Sequence, residues 1–315
     1  MRALSGAVSL ALLVGSLAGC SQVGQLQAMR DFKAANQAYG AQDWPKASAL
    51  YEAAVKEDPE LSPAYFYLAN SYDNQFRPSR RGEAANDALL EKAIAHYKTA
   101  SEKLSASAGE ADKKLGKLSL EYLVAAYGPD KLNDPAQAEP VVQRMIQLEP
   151  NEPSNYFALA KIYEDAGAYA EGEQMLLRAK EVRPNDSAVY MQLAGYYNRQ
   201  NQFEKTIDAL EQRAAREPTN PEAFFTIATY YWDNAQRNFR LTDVEKRDNV
   251  EKGLVAVDKA LGIRPDYEDA LVYKGLLLRV QALLEKDPAK QQALIKEATT
   301  LRDQAEGLKK KRTAQ

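Results

Sequence analysis

Apolar residues recur at spacings of three and four along most of the chain, the period of one helix face and not of a strand. From Ala28 onward the pattern predicts amphipathic helices in pairs, separated by short polar turns. It is clearest from Pro153 to Pro218. There Tyr156, Leu159, Ala160, Tyr163, Gly172, Leu176, Ala179 and Pro184 are followed by Tyr190, Leu193, Ala194, Tyr197, Thr206, Leu210, Arg213 and Pro218. Each matched pair is 34 positions apart. The one mismatch in size is Arg213, which stands where the first unit has Ala179.

Other stretches follow the same scheme less cleanly. A first unit carries Ala35, Ala38, Ala47, Tyr51, Ala54 and Pro59; a second carries Tyr65, Leu68, Ala69, Tyr72, Ala93, Tyr97 and Ala100. A third has Leu120, Leu123, Tyr127, Ala138, Val142, Met145 and Pro150, and a sixth has Phe224, Ile227, Ala228, Tyr231, Gly253, Val257, Ala260 and Pro265. A seventh begins with Leu271, Gly275 and Leu278 and runs into a charged helix with one apolar stripe, Leu294, Ala298, Leu301, Ala305 and Leu308. Units two and six contain insertions: 21 positions separate Tyr72 from Ala93 and 22 separate Tyr231 from Gly253, against 9 from Tyr163 to Gly172. Pro150, Pro184, Pro218 and Pro265 are placed to end second helices. Pro63, Pro153 and Pro221 suit a first helical turn, and Asp186 and Asn220 are expected N-caps.

The 34-residue period and the order of residue types resemble the tetratricopeptide repeat, a helix-turn-helix unit. The resemblance implies an all-α fold, an α-solenoid of about seven such hairpins in a right-handed superhelix. It would occupy residues 28–285, with a capping helix and basic tail over 286–315. It implies a binding scaffold and no particular chemistry. In the family the first helix of each unit faces an inner groove. Carried onto this chain, that places Phe66, Asn70, Phe157, Lys161, Met191, Asn198, Phe225, Thr229 and Trp232 along the groove. Aromatic anchors beside Met suit an extended peptide or a partner helix. The other reading is that Phe66, Phe157 and Phe225 fill spaces between the protein's own helices. Carboxylate-clamping members of the family use Lys and Asn on this wall; Asn70 matches, but Phe66 and Pro63 stand in place of the Lys partners.

The first residues follow a different pattern. Arg2 precedes an uncharged apolar run, Ala3 to Leu17, which reads as an export signal over residues 1–19. It closes on Leu17-Ala18-Gly19-Cys20, which resembles the lipobox of bacterial lipoproteins. The resemblance implies cleavage before Cys20, lipidation of Cys20, and anchoring in the envelope through a short tether, residues 20–27. Ser21 after the cysteine resembles the pattern of lipoproteins sent to the outer membrane, on its periplasmic face. An ordinary signal with an incidental cysteine is the alternative.

Composition narrows the chemistry. The 315 residues are 45% hydrophobic and 27% charged with a net charge of −3, which lacks the basic bias of a nucleic-acid-binding domain. One Cys and one His rule out an internal disulfide framework or a Cys/His metal cluster. His96, beside a packing Tyr, reads as a bystander, and no phosphate loop, dinucleotide glycine pattern, nucleophile elbow or zinc helix is present. No catalytic residue, metal or cofactor is expected. The insertions contribute Arg77, Arg80 and Arg81 in unit two and Arg237 and Arg240 in unit six. The expected function is a membrane-anchored scaffold for a protein or peptide partner of the envelope, assisting assembly or localisation of an envelope complex. The alternative is a cell-wall or anionic-polymer-associated structural protein using the basic insertions.

Overall fold

A computed structural model describes residues 8–313, with side-chain surroundings from Gln22 onward. Among these residues fourteen α-helices follow one another and no strand occurs. They are α1 (Val8–Gly40), α2 (Trp44–Glu57), α3 (Ser62–Gln75), α4 (Ala84–Ser105), α5 (Glu110–Tyr127), α6 (Pro135–Leu148) and α7 (Pro153–Asp165). Then come α8 (Tyr169–Val182), α9 (Ser187–Arg199), α10 (Phe203–Arg216), α11 (Pro221–Arg237), α12 (Asp243–Ile263), α13 (Glu268–Leu284) and α14 (Pro288–Thr313). Taken two at a time they are the seven expected hairpins. The expected C-terminal capping helix is α14, the second helix of the seventh hairpin.

Local chemistry accounts for most helix ends. Asp186 accepts from Ala188 N at 2.9 Å and Asn220 from Glu222 N at 3.0 Å, so both act as the expected N-caps. Thr242 and Glu245 form a reciprocal capping box at the start of α12. Pro153 and Pro221 open α7 and α11, where their missing N–H costs nothing. The helices before Pro150, Pro184, Pro218 and Pro265 each stop two residues short of the ring. Three hairpin turns place a non-glycine residue in the left-handed region: Gln42 (φ 58), Asn133 (φ 55) and Asn201 (φ 55).

The chain divides into two compact units, Met1–Pro150 with Asp165–Gly167, and Asn151–Glu164 with Ala168–Gln315. In the first unit, Tyr51, Leu68, Leu90, Tyr97, Leu104 and Leu123 are fully buried. An aromatic cluster joins Phe32, Tyr39, Trp44, Tyr51, Tyr67 and Phe66, with Tyr51 stacked on Tyr67 at 5.9 Å. In the second unit a continuous core runs from Ala160 to Val280 and includes Tyr190, Tyr196, Leu210, Val257 and Leu277. On α14, Ala298 and Ala305 are buried and Leu294, Leu301 and Leu308 are half-buried, so the expected stripe faces its neighbour. The two helices of this hairpin approach closely at Gly275, where a Cβ would stand 3.1 Å from the Ala298 carbonyl oxygen.

Both insertions lengthen helices beside a short turn. In the first unit a short 3-10 turn, Pro78–Arg80, leads into a lengthened α4 of 22 residues. In the second unit the insertion extends α11 to 17 residues and α12 to 21. At the N-terminus, residues 1–7, including Arg2 of the expected signal, lie outside the described residues, as does the side chain of Cys20. Residues 20–27, expected as a tether, are helical within α1. No helix among the described residues is long and apolar enough to cross a membrane.

Candidate functional site: the first-helix face of the second unit

In the first unit the expected groove is closed by the protein itself. Phe66 is buried, its ring against Tyr67, Tyr97 and Tyr122 at 5.2, 6.1 and 5.9 Å. Asn70 is also buried and sits inside a polar network. Tyr39 donates to its Oδ1 at 2.7 Å, and its amide donates to the Tyr97 hydroxyl at 3.1 Å. That hydroxyl lies 3.4 Å from Asp73, whose other oxygen is paired with the Lys131 ammonium. Placing Phe66 and Asn70 on an open groove is therefore incorrect. The physical reason is that α1 and α5 bring Tyr39 and Tyr122 over α3, and a buried amide must find partners inside the protein. The Tyr97 hydroxyl has its pKa pushed far up, first by burial and then by the nearby Asp73 carboxylate, so it remains a neutral hydrogen-bonding group.

In the second unit the same face stays partly open. Phe157, Phe225 and Trp232 are half-buried and rest on one core cluster. Phe225 contacts Tyr267 at 5.0 Å and Tyr273 at 5.2 Å, and Tyr273 contacts Trp232 at 5.4 Å. The two contacts of Tyr273 are edge-to-face, the arrangement in which the positive ring edge meets the negative ring face. The result is an aromatic ladder across α11 and α13. Tyr267 and Tyr273 are not among the groove positions predicted from the repeat spacing. Val272 on α13 is exposed, and the ring one residue on bridges the two anchors.

The other predicted groove positions of this unit lie on α7, α9 and α11. Met191 is 36% exposed, and the Arg213 guanidinium lies 3.0 Å from its sulfur. Arg213, the one oversized residue of the repeat, is also paired with Glu217 at 3.1 Å. Its charge is thus neutralised at the edge of the core. Lys161 and Asn198 are exposed, and Thr229 is half-buried with its hydroxyl donating to the Thr226 carbonyl at 2.7 Å. Glu164 on α7 accepts a two-point hydrogen bond from Arg199 on α9, at 2.7 and 2.9 Å. Those bonds hold its carboxyl below the usual carboxylate range. The ladder and its rim offer a surface for apolar and aromatic side chains. They place no nucleophile beside a base, and no metal-binding group of His, Cys, Asp or Glu occurs among the described residues.

The basic insertions belong to different units, and most of their charge is already used. Arg80 pairs with Glu83, and Arg81 donates to the Lys131 carbonyl at 3.0 Å. Arg237 pairs with Asp233 at 2.9 Å. Arg77 and Arg240 are exposed, and their guanidinium groups make no ion pair among the described residues. Buried Asn86, which sequence reasoning also missed, ties the first insertion down. It accepts from Arg77 N at 2.9 Å and donates to the Arg77 and Arg80 carbonyls.

A tetratricopeptide-repeat family model matches residues 131–195. No curated protein matches the chain in sequence. Among solved structures, the chain is similar to the C-terminal part of a TPR repeat-containing protein from Cytophaga hutchinsonii, with 14% identity and a TM-score of 0.55. That match covers 86% of this chain and 95% of the other. A tetratricopeptide repeat protein from Parabacteroides merdae is similar at 12% identity, 87% and 99% coverage and a TM-score of 0.46. YrrB, described as a TPR protein with an unusual peptide-binding site, matches at 17% identity, 61% and 87% coverage and a TM-score of 0.39. The Cytophaga match, the family model and the seven hairpins together establish an all-α tetratricopeptide-repeat fold.

Proposed function

We propose that this protein is an interaction scaffold that holds a protein or peptide segment against the first-helix face of its second unit. The observation that carries this reading is the half-open ladder Tyr267–Phe225–Tyr273–Trp232. Half-buried rings on a firm core present apolar area with little conformational freedom left to lose, the character of interface anchors. Exposed Met191 and Val272 extend the apolar surface on α9 and α13, and Met adapts to different partners. The lipobox-like Leu17-Ala18-Gly19-Cys20 adds the second part of the proposal. The scaffold is lipid-anchored at Cys20 in the bacterial envelope, on the periplasmic face of the outer membrane, and helps assemble or localise an envelope complex there.

In-cell crosslinking with mass spectrometry tests the scaffold. Wild type should capture a small, reproducible set of envelope proteins. A Phe157→Ala/Phe225→Ala/Trp232→Ala variant should lose that set. Because these rings also touch the core, a second variant, Met191→Glu with Val272→Glu, changes only exposed positions and should lose it too while melting as wild type does. Capture that persists in both folded variants would overturn the assignment of the face.

A further inference from the structure

A second feature of this unit lies at the turns of the α9–α10 and α11–α12 hairpins. A cleft of about 540 Å³ opens there, within the size range of small-molecule sites. Its lining is amide-rich, unlike the ladder. Two of its amides are committed to the protein. Asn234 donates to Asn249 at 3.4 Å and accepts from Asn238 at 3.0 Å, and Asn238 accepts from the backbone N–H of Arg240 at 3.1 Å. This chain of amides holds the turn after α11 and so positions Arg240. Asp233 is likewise committed, to Arg237.

Other lining groups are uncommitted. The side chains of Asn198, Asn201 and Gln202 and the Arg240 guanidinium make no hydrogen bond or ion pair among the described residues. Tyr230 and Phe203 add two half-buried rings to the wall. Each of these groups selects a ligand chemistry. A carboxamide offers donors and an acceptor together and so matches hydroxyl groups, which also do both. An unpaired guanidinium matches a carboxylate, often at two points. Aromatic faces cover apolar C–H surface. A carboxylate, several hydroxyls and a C–H face occur together on an acidic sugar.

We propose that this cleft binds an acidic saccharide, with Arg240 on its carboxylate, Asn198 and Gln202 on its hydroxyls, and Tyr230 against a ring face. The cleft contains none of the ladder rings and shares only Asn198 with the predicted groove positions, so its failure would leave the scaffold reading intact. The test is saturation-transfer NMR with calorimetry on the whole protein. The probes are digalacturonic acid, neutral cellobiose, and an acetylated tetra-alanine with a free carboxylate. Digalacturonic acid should bind saturably and more tightly than cellobiose. Arg240→Ala should weaken it by about tenfold or more, the loss of one charge-assisted hydrogen bond. Asn198→Ala should weaken both sugars. Both positions are exposed, so neither variant should change the melting temperature. Absence of saturable digalacturonic acid binding, binding indifferent to both variants, or equal displacement by the peptide would overturn the proposal.

Discussion

His96 stacks on Tyr72 at 6.1 Å and lies the same distance from Tyr65. The charged groups facing it are Glu52 and Lys92. Burial is the largest influence and lowers its pKa below the ordinary imidazole value. The unfolded chain therefore binds a proton that the folded one does not, in the window between the lowered value and about 6.5. Stability rises with pH wherever the unfolded state binds more protons. Urea denaturation should show stability falling as pH drops through that window, and His96→Gln should remove this part of the slope. An unchanged slope in the variant would contradict the assignment. The bystander reading of His96 came from its place beside Tyr97; its enclosure by Tyr65 and Tyr72 came from α3 packing on α4. Asn70 makes the same point more sharply. Its spacing placed it on an inner wall, but nothing local in the sequence shows that Tyr39, 31 residues earlier, donates to it.

Hairpins pack by a repeated device. In the second unit the Tyr197 hydroxyl donates to Glu173 at 2.9 Å, and Lys205 reaches the same carboxylate at 2.9 Å and sits over the Tyr197 ring. In the first unit Tyr72, Glu52 and Lys92 form the corresponding group. Each joins the first helix of a hairpin to the preceding helix and to its own partner. Small residues set how closely those helices approach. A Cβ at Gly253 in α12 would stand 2.8 Å from Leu277 Cδ2 and 3.2 Å from Tyr231 Cβ, and Leu277 is fully buried. Overpacking of this kind costs about 1–3 kcal/mol, against a helix-propensity gain of at most about 1 kcal/mol for Gly→Ala. Gly253→Ala should therefore destabilise the protein. Gly307 in α14 has nothing within 4 Å of its Cβ position, so Gly307→Ala should stabilise by about 0.5–1 kcal/mol. Urea midpoints moving in the same direction for both would refute this account. The glycine in the repeat pattern was legible at Gly253. The side chains that make it necessary were not, because Leu277 belongs to the next hairpin.

For the chain as one molecule, the question is what holds it in place. Lipidation of Cys20 is argued from sequence, where the lone cysteine follows an apolar run and Leu17-Ala18-Gly19. At about 0.8 kcal/mol per buried CH₂, more than one acyl chain makes a stable anchor. Metabolic labelling with palmitate, followed by fractionation, should find label and membrane association in wild type. Cys20→Ser should abolish the label and release the protein from the membrane. Label that survives the substitution would dismiss the lipobox reading. Such an anchor would act together with the aromatic ladder, tethering whatever the second unit holds.

Period, helix pairing, caps and proline stops could all be read along the chain, because each depends on residues within a turn or two of one another. So could the stripe of α14 and the count of seven hairpins. Which inner-wall positions stay open could not. Two units built on one pattern differ there: the first covers Phe66 with Tyr97 and Tyr122, and the second leaves Phe225 and Trp232 half-open beside Tyr273. The same holds for the amide cleft, whose residues come from three helices and two turns. Burial and unpaired hydrogen-bonding capacity are properties of neighbours brought in from distant parts of the chain, so only the packed hairpins decided them.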